Sequence, residues 1–132
     1  MNRLKAEITA IESGGHISLV ELRAHGDRFS CVVIETPQTA AYLRIGREVE
    51  ILFKETEVSI AKDLSGEISL RNRIPAMIKQ VDKGAVLARI VLDYRGLEIV
   101  SIITTRSANR LNLRPGDRVI GLVKANEVSI LA

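Results

Sequence analysis

The chain has 132 residues, with 19 Lys and Arg against 16 Asp and Glu, and so a formal net charge of +3 at pH 7. Hydrophobic residues make up 46% and aromatic residues 3%, which excludes a disordered chain and requires a core of Ile, Val, Leu and Ala. So small a charge excess permits an anionic ligand without demanding nucleic acid, and the single cysteine excludes a disulfide framework and favours a reduced, cytoplasmic setting.

From the N-terminus, Met1-Asn2-Arg3-Leu4-Lys5 does not read as a signal peptide, and no later apolar run is long enough to span a bilayer. Short strands are expected over 4–11, 16–23 and 28–34, separated by glycine-bearing turns. Cys31 falls in the alternating stretch Phe29-Ser30-Cys31-Val32-Val33, where a small buried thiol is expected. A helix is expected over 37–43, since Pro37 suits a first helical turn. Strands over 49–54 and 58–61 close this half. The polar connector Lys62-Asp63-Leu64-Ser65-Gly66-Glu67 follows.

The second half repeats the plan. Strands are expected over 74–81, with Pro75 at an edge or start, then over 85–94 and 98–104. A short helix over 106–113 ends at Leu113-Arg114-Pro115-Gly116. Strands over 119–124 and 128–131 complete it. Five strands with a small helix between the third and fourth is the order of an OB-type barrel. The expected fold is all-β with short helices, as two tandem OB-type five-stranded barrels, one over residues 1–64 and one over 65–132.

Sequence identity supports the duplication directly. Residues 1–62 align without a gap on 71–132, and roughly a quarter of the positions are identical. The matches include Asn2 with Asn72, Gly14 with Gly84, Gly26 with Gly96 and Lys54 with Lys124. Leu43-Arg44-x-Gly46 matches Leu113-Arg114-x-Gly116, and Glu57-Val58-Ser59-Ile60 matches Glu127-Val128-Ser129-Ile130. What both copies keep is scaffold, and what differs is a candidate for function. A unit of about sixty residues buries only about 60% of its unfolded surface, so each half needs a partner.

Catalysis would need a nucleophile with its base, paired carboxylates or a metal cluster, and none is assembled by spacing. His16 and His25 lie next to turns in the first half only, and no glycine-rich phosphate loop precedes a helix. The chain reads as a binding protein and not an enzyme.

The informative motif is Ser69-Leu70-Arg71-Asn72. It resembles the Ser-Ala-Arg-Asn signature of the molybdate-binding Mop domains, also called TOBE domains. Lys83-Gly84-Ala85-Val86 resembles that family's Lys-Gly-Ala-Val turn, Leu111-x-Leu113-x-Pro115-Gly116 its helix exit, and Val123-Lys124-Ala125 its Ile-Lys-Ala strand. The resemblance implies that molybdate or tungstate is bound through Ser69, Arg71, Lys124, Thr104 and Ser107, with Asn72 and Ala125 beside them. The chemistry of those residues is apt. A tetrahedral dianion wants converging donors: a planar guanidinium fork, a lysine charge, rotatable hydroxyls and the exposed amides of a helix start.

The first half departs from this pattern. Met1 stands against Arg71, Ile34 against Thr104 and Pro37 against Ser107, while Thr36 and Thr39 keep the three-residue spacing in a shifted register. That half is expected to be scaffold, or to lend a half-site to another chain.

The resemblance implies a cytoplasmic protein for storage or homeostasis of the oxyanion, assembled from copies of itself as a dimer or trimer. One alternative is the ligand-sensing domain of a molybdate-responsive transcription regulator. Another is an OB-type module for single-stranded nucleic acid, but that mode relies on aromatic stacking platforms. Phe29, Phe53, Tyr42 and Tyr94 are the only aromatics available.

Overall fold

Burial in β1 (Asn2–Gly14) alternates from Asn2 through Leu4, Ala6 and Ile8, the period of a strand with one face on a core. The computed structural model describes residues 1–132. After β1 come β2 (Ile17–Ala24), β3 (Asp27–Val33), β4 (Glu48–Phe53) and β5 (Ser59–Ala61). The second repeat supplies β6 (Asn72–Lys83), β7 (Leu87–Tyr94), β8 (Leu97–Thr104), the helix α1 (Thr105–Arg110), β9 (Arg118–Val123) and β10 (Ser129–Leu131). Single 3-10 turns, Glu55–Glu57 and Ala125–Glu127, lead into β5 and β10. Every strand expected from the sequence forms.

The helix expected over 37–43 does not form. In its place the backbone makes a single turn, with the Thr39 and Ala40 amides both donating to the Thr36 carbonyl at 2.9 Å. Thr39 Oγ1 accepts from the Thr36 amide at 2.9 Å while donating to the Thr36 carbonyl at 3.2 Å. That side chain competes for the groups a helix would use.

The strands form two five-stranded sheets, in the orders β10-β4-β1-β2-β3 and β5-β9-β6-β7-β8. Each sheet therefore takes its fifth strand from the other repeat. Ser129, Ile130 and Leu131 pair with Leu52, Ile51 and Glu50, and Ser59, Ile60 and Ala61 pair with Leu122, Gly121 and Ile120. The compact units are accordingly Met1 with Arg3–Phe53 and Lys124–Ala132, and Asn2 with Lys54–Val123. They differ from the contiguous halves 1–64 and 65–132, because the chain leaves one sheet after β4 and joins the other as β5.

In the first unit the core is built from Leu4, Ile8, Val20, Leu22, Phe29, Ile51 and Phe53, all at most 2% exposed. Strand β10 lies beside β4 and also against β3, so this sheet curls toward its own far edge, as an OB-type barrel closes. The β2–β3 hairpin turns at His25-Gly26, where φ is positive at both residues, 52° and 83°. That is the turn whose twist matches two antiparallel strands.

The second unit repeats this with Ile74, Ile78, Ile90, Leu92, Tyr94 and Ile99 in its core. Its β7–β8 hairpin turns at Arg95-Gly96 with φ of 51° and 88°. Strand β5 lies beside β9 and against β8. Both long strands carry a bulge, between Ile8 and Ala10 in β1 and between Ile78 and Gln80 in β6. At each bulge the buried isoleucine bonds the repeated Arg-x-Gly corner: Gly46 N–H donates to the Ile8 carbonyl at 2.8 Å and Gly116 N–H to the Ile78 carbonyl at 2.7 Å. The shared Leu-Arg-x-Gly motif is thus scaffold.

Candidate functional site

Thr104 ends β8 and caps α1. Its backbone is extended, with φ −68° and ψ 144°, and its Oγ1 accepts from the Ser107 amide at 3.1 Å, the usual work of a threonine at that position. The same Oγ1 donates its proton to Ser107 Oγ at 2.9 Å. A hydroxyl has one proton, so Ser107 keeps its own free of this bond. Thr104 is exposed and Ser107 half-buried. The cap therefore holds the two hydroxyls together as a pair.

Two of the backbone amides expected to be free at this helix start are already used. The Thr105 amide donates to the Val86 carbonyl at 2.8 Å, and the Ser107 amide goes to Thr104 as above. Thr105 Oγ1 in turn donates to the Gly84 carbonyl at 2.8 Å. These bonds tie the helix start to the Lys83-Gly84-Ala85-Val86 turn, which itself closes through Gly84 N–H and the Leu87 carbonyl at 2.8 Å. Thr105 was not singled out from sequence. The signal was there, since Glu35 stands against it in the first repeat.

Ser69 and Arg71 are exposed, in the connector and at its junction with β6. Pairing of β6 with β9 runs out at Asn72 opposite Val123, and the residues that adjoin this last pair in sequence are Arg71 and Lys124. Lys124 is exposed and precedes the 3-10 turn whose first residue is Ala125. By compact unit, Ser69, Arg71, Asn72, Thr104 and Ser107 fall in the second, and Lys124 and Ala125 in the first. Of the expected residues, the structure joins Thr104 to Ser107 by hydrogen bonds, and no single unit holds the full set.

Asn72 begins β6 and pairs with Val123 at the end of the ladder. It is 0% exposed, and no buried side-chain nitrogen or oxygen lacks a hydrogen-bond partner. In its match, Asn2 Nδ2 donates to the Val100 carbonyl and the Val100 amide donates to Asn2 Oδ1, both at 2.8 Å. One side-chain amide thereby satisfies a backbone pair on the open edge of β8.

The corner of the first unit is different in kind. Ile34 is 82% exposed where the second repeat has Thr104. Thr36 is buried at 8%, and Thr39 Oγ1 is closed onto the Thr36 backbone, so the shifted pair offers no outward hydroxyl. Tyr42 Oη donates to Glu35 Oε1 at 2.5 Å. Burial and this carboxylate both push the Tyr42 phenol above its ordinary value.

Elsewhere the chain assembles no group of three or more His, Cys, Asp and Glu able to hold a metal ion. Cys31 is fully buried, and burial with the nearby Glu21 charge pushes its thiol up to about 12. No helix is long and apolar enough to cross a membrane. Lys62, also not singled out from sequence, donates to the Leu111 and Asn112 carbonyls beyond α1 and to Asp117 Oδ2.

Comparison with known proteins agrees with this architecture. The TOBE domain model matches residues 68–130. Molybdenum-pterin-binding protein 2 of Clostridium pasteurianum is 36% identical over 66 residues, 49% of this chain and 97% of that protein. The molybdenum import ATP-binding protein ModC of Brucella abortus is 30% identical over 123 residues, 89% of this chain and 34% of that protein. The chain thus spans about a third of the length of ModC. A solved structure of the cytoplasmic molybdate-binding protein ModG, with molybdate bound, superposes with a TM-score of 0.93 at 30% identity. The match covers 99% of this chain and 95% of that one. With one relative matched over nearly its whole length and a second over its whole fold, this chain belongs to the TOBE-domain, or Mop, family and carries the domain as a tandem repeat.

Proposed function

We propose that this chain binds molybdate or tungstate as a tetrahedral dianion, in the cytoplasm, and serves storage or homeostasis of the metal oxyanion. The observation that carries the reading is the likeness over the whole fold to ModG, a protein solved with molybdate bound. The donor chemistry supports it. Thr104 and Ser107 are held as a hydroxyl pair, and Ser69, Arg71 and Lys124 are exposed. Arg71 supplies a planar fork and Lys124 a point charge. Because those donors are divided between the compact units, self-association that completes a site with donors from a second copy is part of the proposal.

The test is isothermal titration of the chain with molybdate, tungstate and sulfate, with sedimentation in parallel. Saturable binding of molybdate or tungstate with a much weaker response to sulfate is expected. At a hundred times its dissociation constant the ligand adds about 2.7 kcal/mol per independent site, so the melting temperature rises with it. Equal responses to all three anions, or none, refute the reading. A clean 14.5 kDa monomer that still binds would refute the shared site alone.

A second reading is favoured by the length comparison. Since the chain matches about a third of ModC, the same pair of repeats also suits the ligand-binding portion of a larger protein, a regulator or transporter subunit.

A further inference from the structure

The first unit does more than lack donors at the corner matched to Thr104 and Ser107: it places a carboxylate there. The repeat sets Ile34 against Thr104, Glu35 against Thr105 and Pro37 against Ser107. In the second unit Thr105 is neutral and turned inward, its hydroxyl donating to the Gly84 carbonyl. In the first, Glu35 is half-buried, its backbone carbonyl accepts from Ser18 Oγ at 2.6 Å, and its Oε1 accepts from Tyr42 Oη. This pins the position of the acid. Arg44, the nearest cation of the same turn, directs its guanidinium to the Pro37 and Leu43 carbonyls, at 3.1 and 2.8 Å, and forms no ion pair with Glu35.

We infer that Glu35 bars oxyanions from the corner of the first unit, so that the chain recognises its dianion through the Thr104 and Ser107 hydroxyls of the second unit and not through the matched corner of the first. A fixed carboxylate beside a doubly charged anion is a like-charge contact, which disfavours binding far more than the absence of one hydroxyl does. Pro37 removes a donor, and exposed Ile34 offers none. Glu35 is therefore a specificity-determining residue: it fixes which of the two repeats carries hydroxyl ligands. This rests on the oxyanion reading.

The test transplants the acid and also removes it. Thr105→Glu and Thr105→Gln both lose the bond to the Gly84 carbonyl and differ only in charge, so each is the other's control for folding. In molybdate titrations of the full chain, Thr105→Glu binds at least about tenfold more weakly than Thr105→Gln. In the second arm, Glu35→Lys adds a weaker class of molybdate sites that the parent chain does not show. Equal affinities for the two Thr105 variants, or no added class in Glu35→Lys, overturn the inference while the parent still binds. A parent chain that does not bind molybdate overturns the oxyanion reading itself, and this inference with it.

Discussion

Lys62 Nζ lies 3.1 Å from Asp117 Oδ2 and also donates to the Leu111 and Asn112 carbonyls at 3.2 Å. One ammonium group thus pins the end of β5 to the chain leaving α1. Both partners are about a quarter exposed, so part of this bond is screened by solvent. The carbonyls give it a second role, since cations stabilise orphan carbonyls after a helix. Lys62→Met is expected to lower the melting temperature by a few degrees while leaving the first unit's packing unchanged. A melting curve identical to the parent's would show the contact to be decoration.

The same pair predicts a pH dependence. The Arg114 amide, then Lys62, hold the Asp117 carboxyl below its ordinary value of 3.8. A depressed folded-state value means the contribution is present above the ordinary value and is lost as pH falls through the lower folded one. Acid melts below pH 4 should therefore converge for the parent and Asp117→Asn, which differ at neutral pH. Curves that stay separated in acid would exclude titration of Asp117 as the cause.

Cys31 carries the opposite sign. Its thiol is raised from 9.0 to about 12, first by burial and then by the Glu21 charge. The thiolate is the reactive form, so the native chain should resist a thiol reagent at pH 8 and react fully in denaturant. Because the folded value is raised, this group's contribution is complete below pH 9 and falls as alkali ionises the unfolded thiol. Rapid labelling of the native chain would show that the β3 strand opens.

The repeat offers a backbone control as well. A Cβ on Gly84 would meet the Leu87 carbonyl oxygen at 2.9 Å, whereas Gly14 at the matched place has nothing within 4 Å. Gly84→Ala is expected to cost about 1–3 kcal/mol, and Gly14→Ala to stay within about 0.5 kcal/mol, in denaturant titrations. Equal costs would mean the two turns are built alike after all.

Much of this fold was legible, and the exceptions have physical reasons. Alternation gave the strands because each sheet has one buried face, as Leu4, Ala6 and Ile8 show in β1. The exchange of fifth strands was not legible. Glu57-Val58-Ser59-Ile60 and Glu127-Val128-Ser129-Ile130 are identical, so sequence holds nothing to say which fourth strand each should join. The missing helix was misread from Pro37, which permits a first turn but does not prevent Thr39 from capturing the Thr36 backbone. The cap of Thr104 on Ser107 was legible because a cap is a local structure set by residues three apart. The reach of Asn2 to Val100 in β8, 98 residues away, was not legible, because such a contact has no local signature.

The two lysines that follow the fourth strands give the last prediction. Lys124 and Lys54 are matched in the repeat, but Ala125 follows the first and Glu55 the second. Arg71 adjoins the end of the ladder that Lys124 extends, while Met1 takes that place in the other repeat. In the proposed oxyanion reading Lys124 and Arg71 serve as cations, whereas Lys54 is followed by Glu55, whose carboxylate is held by the N-terminal ammonium. Arg71→Ala removes a charge-assisted contact of about 1.5–3 kcal/mol, so molybdate affinity should fall by roughly ten- to a hundredfold. Lys124→Ala should weaken binding by a similar factor and Lys54→Ala should leave it nearly unchanged, at constant oligomeric state. Equal losses at Lys54 and Lys124 would mean that both repeats supply cations to the oxyanion.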